Sequence, residues 1–155
     1  MKVSTVVVAV TAALGLVTTG SIVSATGASA AKKPVSRLVV VPSGGLHNNQ
    51  TVKVRGINFT PGDTVFIVEC LATASGSGGC NTASATPVTI NAKGQLPWTK
   101  FTVATGKVGG GTCGTTRANA KACALSAGNA EGKDTASARI TFVVPSPKST
   151  TKGKG

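Results

Sequence analysis

The sequence predicts an all-β sandwich of about seven short strands, clipped by two disulfides. Three observations predict it. Short β-branched runs alternate with turn residues, in a chain of 20 Gly and 7 Pro with little Leu, Glu or Lys in helical phase. The four cysteines form two pairs of equal spacing, Cys70 with Cys80 and Cys113 with Cys123. The N-terminus reads as a secretory leader, and an even cysteine count in a secreted chain reads as a disulfide framework.

Each element follows from its residues. Leu38-Val39-Val40-Val41 is a strand stopped at Pro42, and Ser43-Gly44-Gly45 is turn chemistry. Val52-Lys53-Val54-Arg55 alternates apolar and polar, as a half-buried strand does. Pro61-Gly62-Asp63 is a turn. Thr64 to Val68 is apolar on both faces, which predicts a central strand. Pro87 to Ile90 is a strand leading into the turn Asn91-Ala92-Lys93-Gly94. Phe101 to Val103, Cys123 to Ser126 and Ala138 to Val143 complete the set. Trp98 stands three residues before Phe101, so both cannot face the core without a bulge. Trp98 reads either as a packing residue or as a wall of a ligand cleft, its indole N–H open to a ligand.

The leader rests on Lys2, the mostly apolar run from Val6 to Val17, and the small-x-small site Ala28-Ser29-Ala30. Thr5, Thr11, Thr18, Thr19 and Ser21 dilute the apolar run, whereas a spanning helix needs about 20 mainly apolar residues. Cleavage is therefore expected rather than anchoring. The predicted organisation is a signal peptide over residues 1–30, one domain over 31–145, and a disordered basic tail over 146–155. Four cysteines allow three pairings. The local one, 70–80 and 113–123, is preferred because each bridge then clips a hairpin or loop, contributing roughly 3 kcal/mol in a chain-entropy account.

Charge and chemistry narrow the function. Lys plus Arg number 16 against 4 Asp plus Glu, a net charge of +12, and loss of the leader removes only Lys2 from that balance. Such a domain is attracted to polyanions, including DNA and anionic envelope polymers, weakly and without sequence preference. Catalysis finds little support. His47, the single histidine, lies in a turn. Glu131 and Asp134 are expected to be solvated in a loop. Glu69 interrupts an apolar strand, either facing outward or making a polar contact at a cleft rim. The cysteines lack metal-ligand spacing, so no metal site is predicted. Gly109 to Gly114 fits a dinucleotide glycine pattern without its strand-to-helix context, and is read as a flexible loop.

The ordered residues resemble a family. Val41-Pro42-Ser43-Gly44-Gly45-Leu46, then Gln50 to Val54 and Gly56, look like the opening of neocarzinostatin-type apoproteins, the secreted carriers of enediyne antibiotics. The likeness continues through Pro61 to Thr64, Val68-Glu69-Cys70, Gly79-Cys80-Asn81 and Ala122-Cys123. It implies an immunoglobulin-like, seven-stranded antiparallel sandwich with a cleft beside it for a non-covalently held chromophore. The chromophore, not the protein, would carry antimicrobial and DNA-directed activity; the protein is expected to be a monomer and no enzyme.

By residue matching, the Cys70–Cys80 bridge would floor that cleft. Phe66 and Val68 would line one wall, and Ala124, Ser126 and Gly128 another. Ala72, Gly78 and Ala85 fall where the family's type member carries bulky apolar groups. Two features set the chain apart. Tyr is absent and aromatic residues are few, which removes contact area from an aromatic ligand. The charge is strongly positive where the family's carriers are acidic. These features define an alternative reading, a basic secreted or cell-envelope module that has lost enediyne binding.

Overall fold

The computed structural model describes residues 33–144. The expected leader and basic tail lie outside the described residues. Among those described, no helix is long and apolar enough to cross a membrane.

Period-two patterning builds two antiparallel sheets. In β1 (Arg37–Val41) and β2 (Thr51–Ile57), alternate residues are buried: Leu38 and Val40, then Val52, Val54 and Gly56. β2 also pairs with β5 (Leu96–Thr102), giving the order β1-β2-β5. A bulge interrupts that pairing between Val54 and Gly56. It resets the alternation, so Leu96 and Phe101 are both buried while Trp98 points outward. The second sheet has the order β4-β3-β8-β9, from β3 (Thr64–Leu71), β4 (Thr86–Thr89), β8 (Cys123–Gly128) and β9 (Thr135–Arg139). β3 is central, as its two apolar faces predicted.

The core lies between the sheets. Val40, Val52, Val54, Leu96 and Phe101 from one sheet join Val65, Ile67, Leu125 and Ala127 from the other in one buried cluster. Complete burial of each such aliphatic side chain contributes about 1.5–3 kcal/mol. The seven strands of these sheets form the predicted sandwich, and both predicted disulfides are present.

The structure departs from expectation in four places. Among the described residues there are nine strands, because β6 (Gly106–Val108) and β7 (Gly111–Cys113) pair as a separate two-stranded ribbon. The glycine-rich segment read as a flexible loop is that ribbon's turn and second strand. β9 covers Thr135–Arg139 rather than Ala138–Val143, and Phe142 makes only an isolated bridge with Leu46. Asp134 is buried, not solvated. Glu69 is likewise buried, neither outward-facing nor on a rim.

Candidate functional site

The outer face of the four-stranded sheet gathers most of the predicted cleft residues. Val65, Ile67 and Glu69 alternate inward along β3, so Phe66, Val68 and Cys70 alternate outward. Pairing places Phe66 opposite Gly128, Val68 opposite Ser126, and Cys70 opposite Ala124. These six residues therefore share one face. Cys80 pairs with Cys70 across an isolated antiparallel bridge, and the disulfide joins them there. Ala85 directly precedes β4, whose register with β3 ends at Ile67–Thr86. Ala72 follows β3 and donates its N–H to Ala122. Gly78 lies exposed on the turn Ser77–Gly79.

Strand β9 extends this face with residues the sequence reading missed. Thr135, Ser137 and Arg139 stand opposite Gly128, Ser126 and Ala124. Their signal was the alternation in Thr135-Ala136-Ser137-Ala138-Arg139, obscured when the strand was expected to begin at Ala138. The face thus combines one ring, Phe66 at 40% exposure, with hydroxyls and a cation. The Ser126 and Ser137 hydroxyls lie 3.1 Å apart.

The ribbon is fixed beside this face at both ends. At its root, the Glu69 carboxylate accepts the Ala104 N–H at 2.9 Å, just before β6. Its other oxygen lies 3.6 Å from Cys113 Sγ, the last residue of β7. That sulfur is disulfide-bonded and has no proton, so a hydrogen bond there requires the carboxyl to donate. Burial pushes the Glu69 pKa from 4.5 to about 6, against the lowering effect of the Ala104 N–H. The Cys113–Cys123 bridge ties the same root to the start of β8. At its tip, Gly109 has φ +53°, and a Cβ there would overlap the Gly78 carbonyl and Gly79 backbone. Only glycine admits this close approach without strain. A recess of about 280 Å³ opens where ribbon and bridge meet, lined by Cys80, Asn81, Thr82, Ala83, Lys107 and Gly109.

Asp134 serves the scaffold behind the site. It pairs with Lys33, and its second oxygen accepts the Thr60 N–H. Burial raises its pKa, but the hydrogen bonds from Lys33 and Thr60 outweigh that and hold it below the usual carboxylate value. Glu69, Cys113 and Cys123 bring potential metal-ligand atoms together, but both sulfurs are committed to the disulfide. The group offers an ion one carboxylate.

Trp98 is not brought to this face. It sits on the opposite sheet, 53% exposed, with the Arg55 guanidinium 5.0 Å from its ring centre. Beside it lies a larger, open hollow of about 600 Å³, lined by Val41, Lys53, Trp98, Thr99 and Lys100. The recess thus lies between the ribbon and the Cys70–Cys80 bridge, and the hollow on the outer face of the three-stranded sheet. On the four-stranded sheet's face the groups are suited to non-covalent binding, through apolar contact and hydroxyl hydrogen bonds.

Comparison with known proteins bears on the family. The model of the neocarzinostatin family matches residues 38–142. Macromomycin of Streptomyces macromomyceticus is 31% identical over 110 residues, covering 68% of this chain and 75% of the relative. The antitumor antibiotic C-1027 apoprotein of Streptomyces globisporus is 33% identical over 132 residues, covering 83% and 90%. The solved structure of macromomycin aligns with a TM-score of 0.55 at 29% identity, covering 70% of this chain and all of that one.

Proposed function

The chain belongs to the neocarzinostatin family, and on that premise we propose that it is a secreted apoprotein carrying a small hydrophobic ligand of the enediyne type. The ligand lies on the outer face of the four-stranded sheet. The observation that carries this reading is the registered row of Phe66–Gly128, Val68–Ser126 and Cys70–Ala124, bordered by the Cys70–Cys80 bridge. The C-1027 relative is by name the apoprotein of an antibiotic, and the match spans most of both chains.

Binding on this face needs no bond-making step. Phe66 and Val68 supply apolar contact, the disulfide a polarisable floor, and Ser126 with Ser137 directional hydrogen bonds. At Gly128 the Thr135 methyl group lies 3.2 Å from where a Cβ would stand, so Thr135 closes that end of the row. The protein acts as a monomer, and any activity toward DNA belongs to the ligand it delivers. Its own contact with DNA or envelope polymers is weak and falls steeply with salt, because counterion release drives it.

A second reading is favoured by one observation. Ala72, Gly78 and Ala85 add no large side chain to the face, so a rigid polycyclic ligand loses contacts on one side. On this reading the chain is a basic secreted module without an enediyne. Native mass spectrometry of the protein secreted by its own host separates the two. The carrier reading expects a non-covalent adduct of a small molecule, lost on denaturation. The bare polypeptide mass from producing cultures would support the module instead.

A further inference from the structure

We propose that the outer face of the three-stranded sheet docks on an anionic lipid bilayer. The inference is independent of the ligand site, which lies on the other sheet. Val39, Val41, Ile57 and Trp98 point outward from β1, β2 and β5, with 42%, 49%, 44% and 53% exposure. Four cations stand among them: Arg37, Lys53, Arg55 and Lys100, all exposed. These three strands contain no acidic residue. The protein's four acids lie on or beside the other sheet: Asp63 precedes β3, Glu69 is within it, and Glu131 and Asp134 are in the β8–β9 loop.

Charge selects the partner. A second copy would bring four cations against four, which opposes self-association. A single-stranded nucleic acid suits the cations but needs stacking rings, and this face offers one. It leaves the three exposed β-branched side chains without a role. A bilayer rich in anionic lipid uses both sets. Phosphates meet the Lys and Arg side chains, while Trp and the aliphatic groups enter the interfacial layer. The Arg55 guanidinium over the Trp98 ring keeps cation and indole together at the same depth. With this sheet on the bilayer, the ligand face of the sandwich points away from it.

Trp98 is the only tryptophan, so its fluorescence reports this face alone. The secreted full-length protein is titrated with vesicles of equal parts phosphatidylglycerol and phosphatidylcholine, and with phosphatidylcholine alone. The expected result is a blue shift with the anionic vesicles, quenching by brominated acyl chains, reversal by salt, and no shift with phosphatidylcholine. Substituting Lys53→Ala together with Lys100→Ala should weaken binding roughly 30-fold, at about fivefold per surface cation. Both lysines are exposed, and circular dichroism verifies that the variant folds. Equal response to both vesicle types, no response to either, or less than a threefold change in the double variant overturns the proposal. So does quenching of Trp98 by single-stranded DNA with no response to vesicles, which assigns the face to nucleic acid.

Discussion

Glu69 should make the protein lose stability as pH rises from about 4.5 to 7. Its side chain is 1% exposed inside the sandwich, where ionisation costs more than in the unfolded chain. The folded pKa is about 6 against 4.5 unfolded. Between those values the folded state holds its proton and the unfolded state has released it. Stability therefore falls with rising pH across that window. At about 1.4 kcal/mol per pKa unit, the loss approaches about 2 kcal/mol by pH 7. Glu69→Gln keeps an oxygen for the Ala104 N–H but cannot ionise. Urea unfolding followed by far-ultraviolet circular dichroism, for both proteins at several pH values, isolates the effect. Other titrating groups cancel in the difference. Relative to wild type, the variant should gain about 2 kcal/mol between pH 4.5 and 7. A difference that stays flat across the window, or moves the other way, refutes the burial argument.

Three further outcomes follow from the packing. Replacing Cys70 and Cys80 with Ser should destabilise the domain by about 2–5 kcal/mol in urea unfolding, while peptide mapping of the parent shows Cys70–Cys80 and Cys113–Cys123 with no free thiol. Gly109→Val should cost about 1–3 kcal/mol, from its positive φ and the blocked approach to Gly78 and Gly79. Hydrogen exchange should then show lost protection in β6 and β7 with the sandwich intact. Asp134→Asn should destabilise by about 1–3 kcal/mol at pH 7, because it weakens the hydrogen bonds and the half-exposed ion pair of a buried carboxylate. Since the folded pKa of Asp134 is depressed, that contribution disappears as pH falls through it, and the two proteins should converge in acid.

Much of the sandwich was legible because period-two alternation is a local signal. Val52 and Val54 declared an inward face directly, and the doubly apolar Thr64 to Val68 declared a central strand. The same double apolarity hid which face Glu69 takes. Once Val65 and Ile67 are known to point inward, Glu69 must follow them, although its chemistry suggested the surface. The ribbon was not legible because glycine carries no patterning. Gly106 to Gly111 is held by distant partners instead: Glu69, Cys123 and the Gly78–Gly79 backbone. Asp134 is buried through Lys33 and Thr60, both far away in the chain, and no local rule announces such a pairing. Trp98 could be placed only after the bulge opposite Arg55 fixed the phase of β5. The row of Phe66, Val68 and Cys70 against Gly128, Ser126 and Ala124 came from residue matching to the family. The register supplies its physical basis, since opposite residues in an antiparallel pair share a face.

The ligand face is tested most directly by an amide-resolved NMR titration with a stable, aromatised enediyne analogue. Trp98 fluorescence cannot serve, because that residue lies on the other sheet. The account predicts shifts concentrated at Phe66, Val68, Cys70, Ser126 and Gly128, extending to the ribbon around Lys107 and Gly109, with the Trp98 indole unmoved. Shifts centred on Trp98, Lys53 and Lys100, or no shift on the four-stranded sheet at saturating analogue, would contradict it.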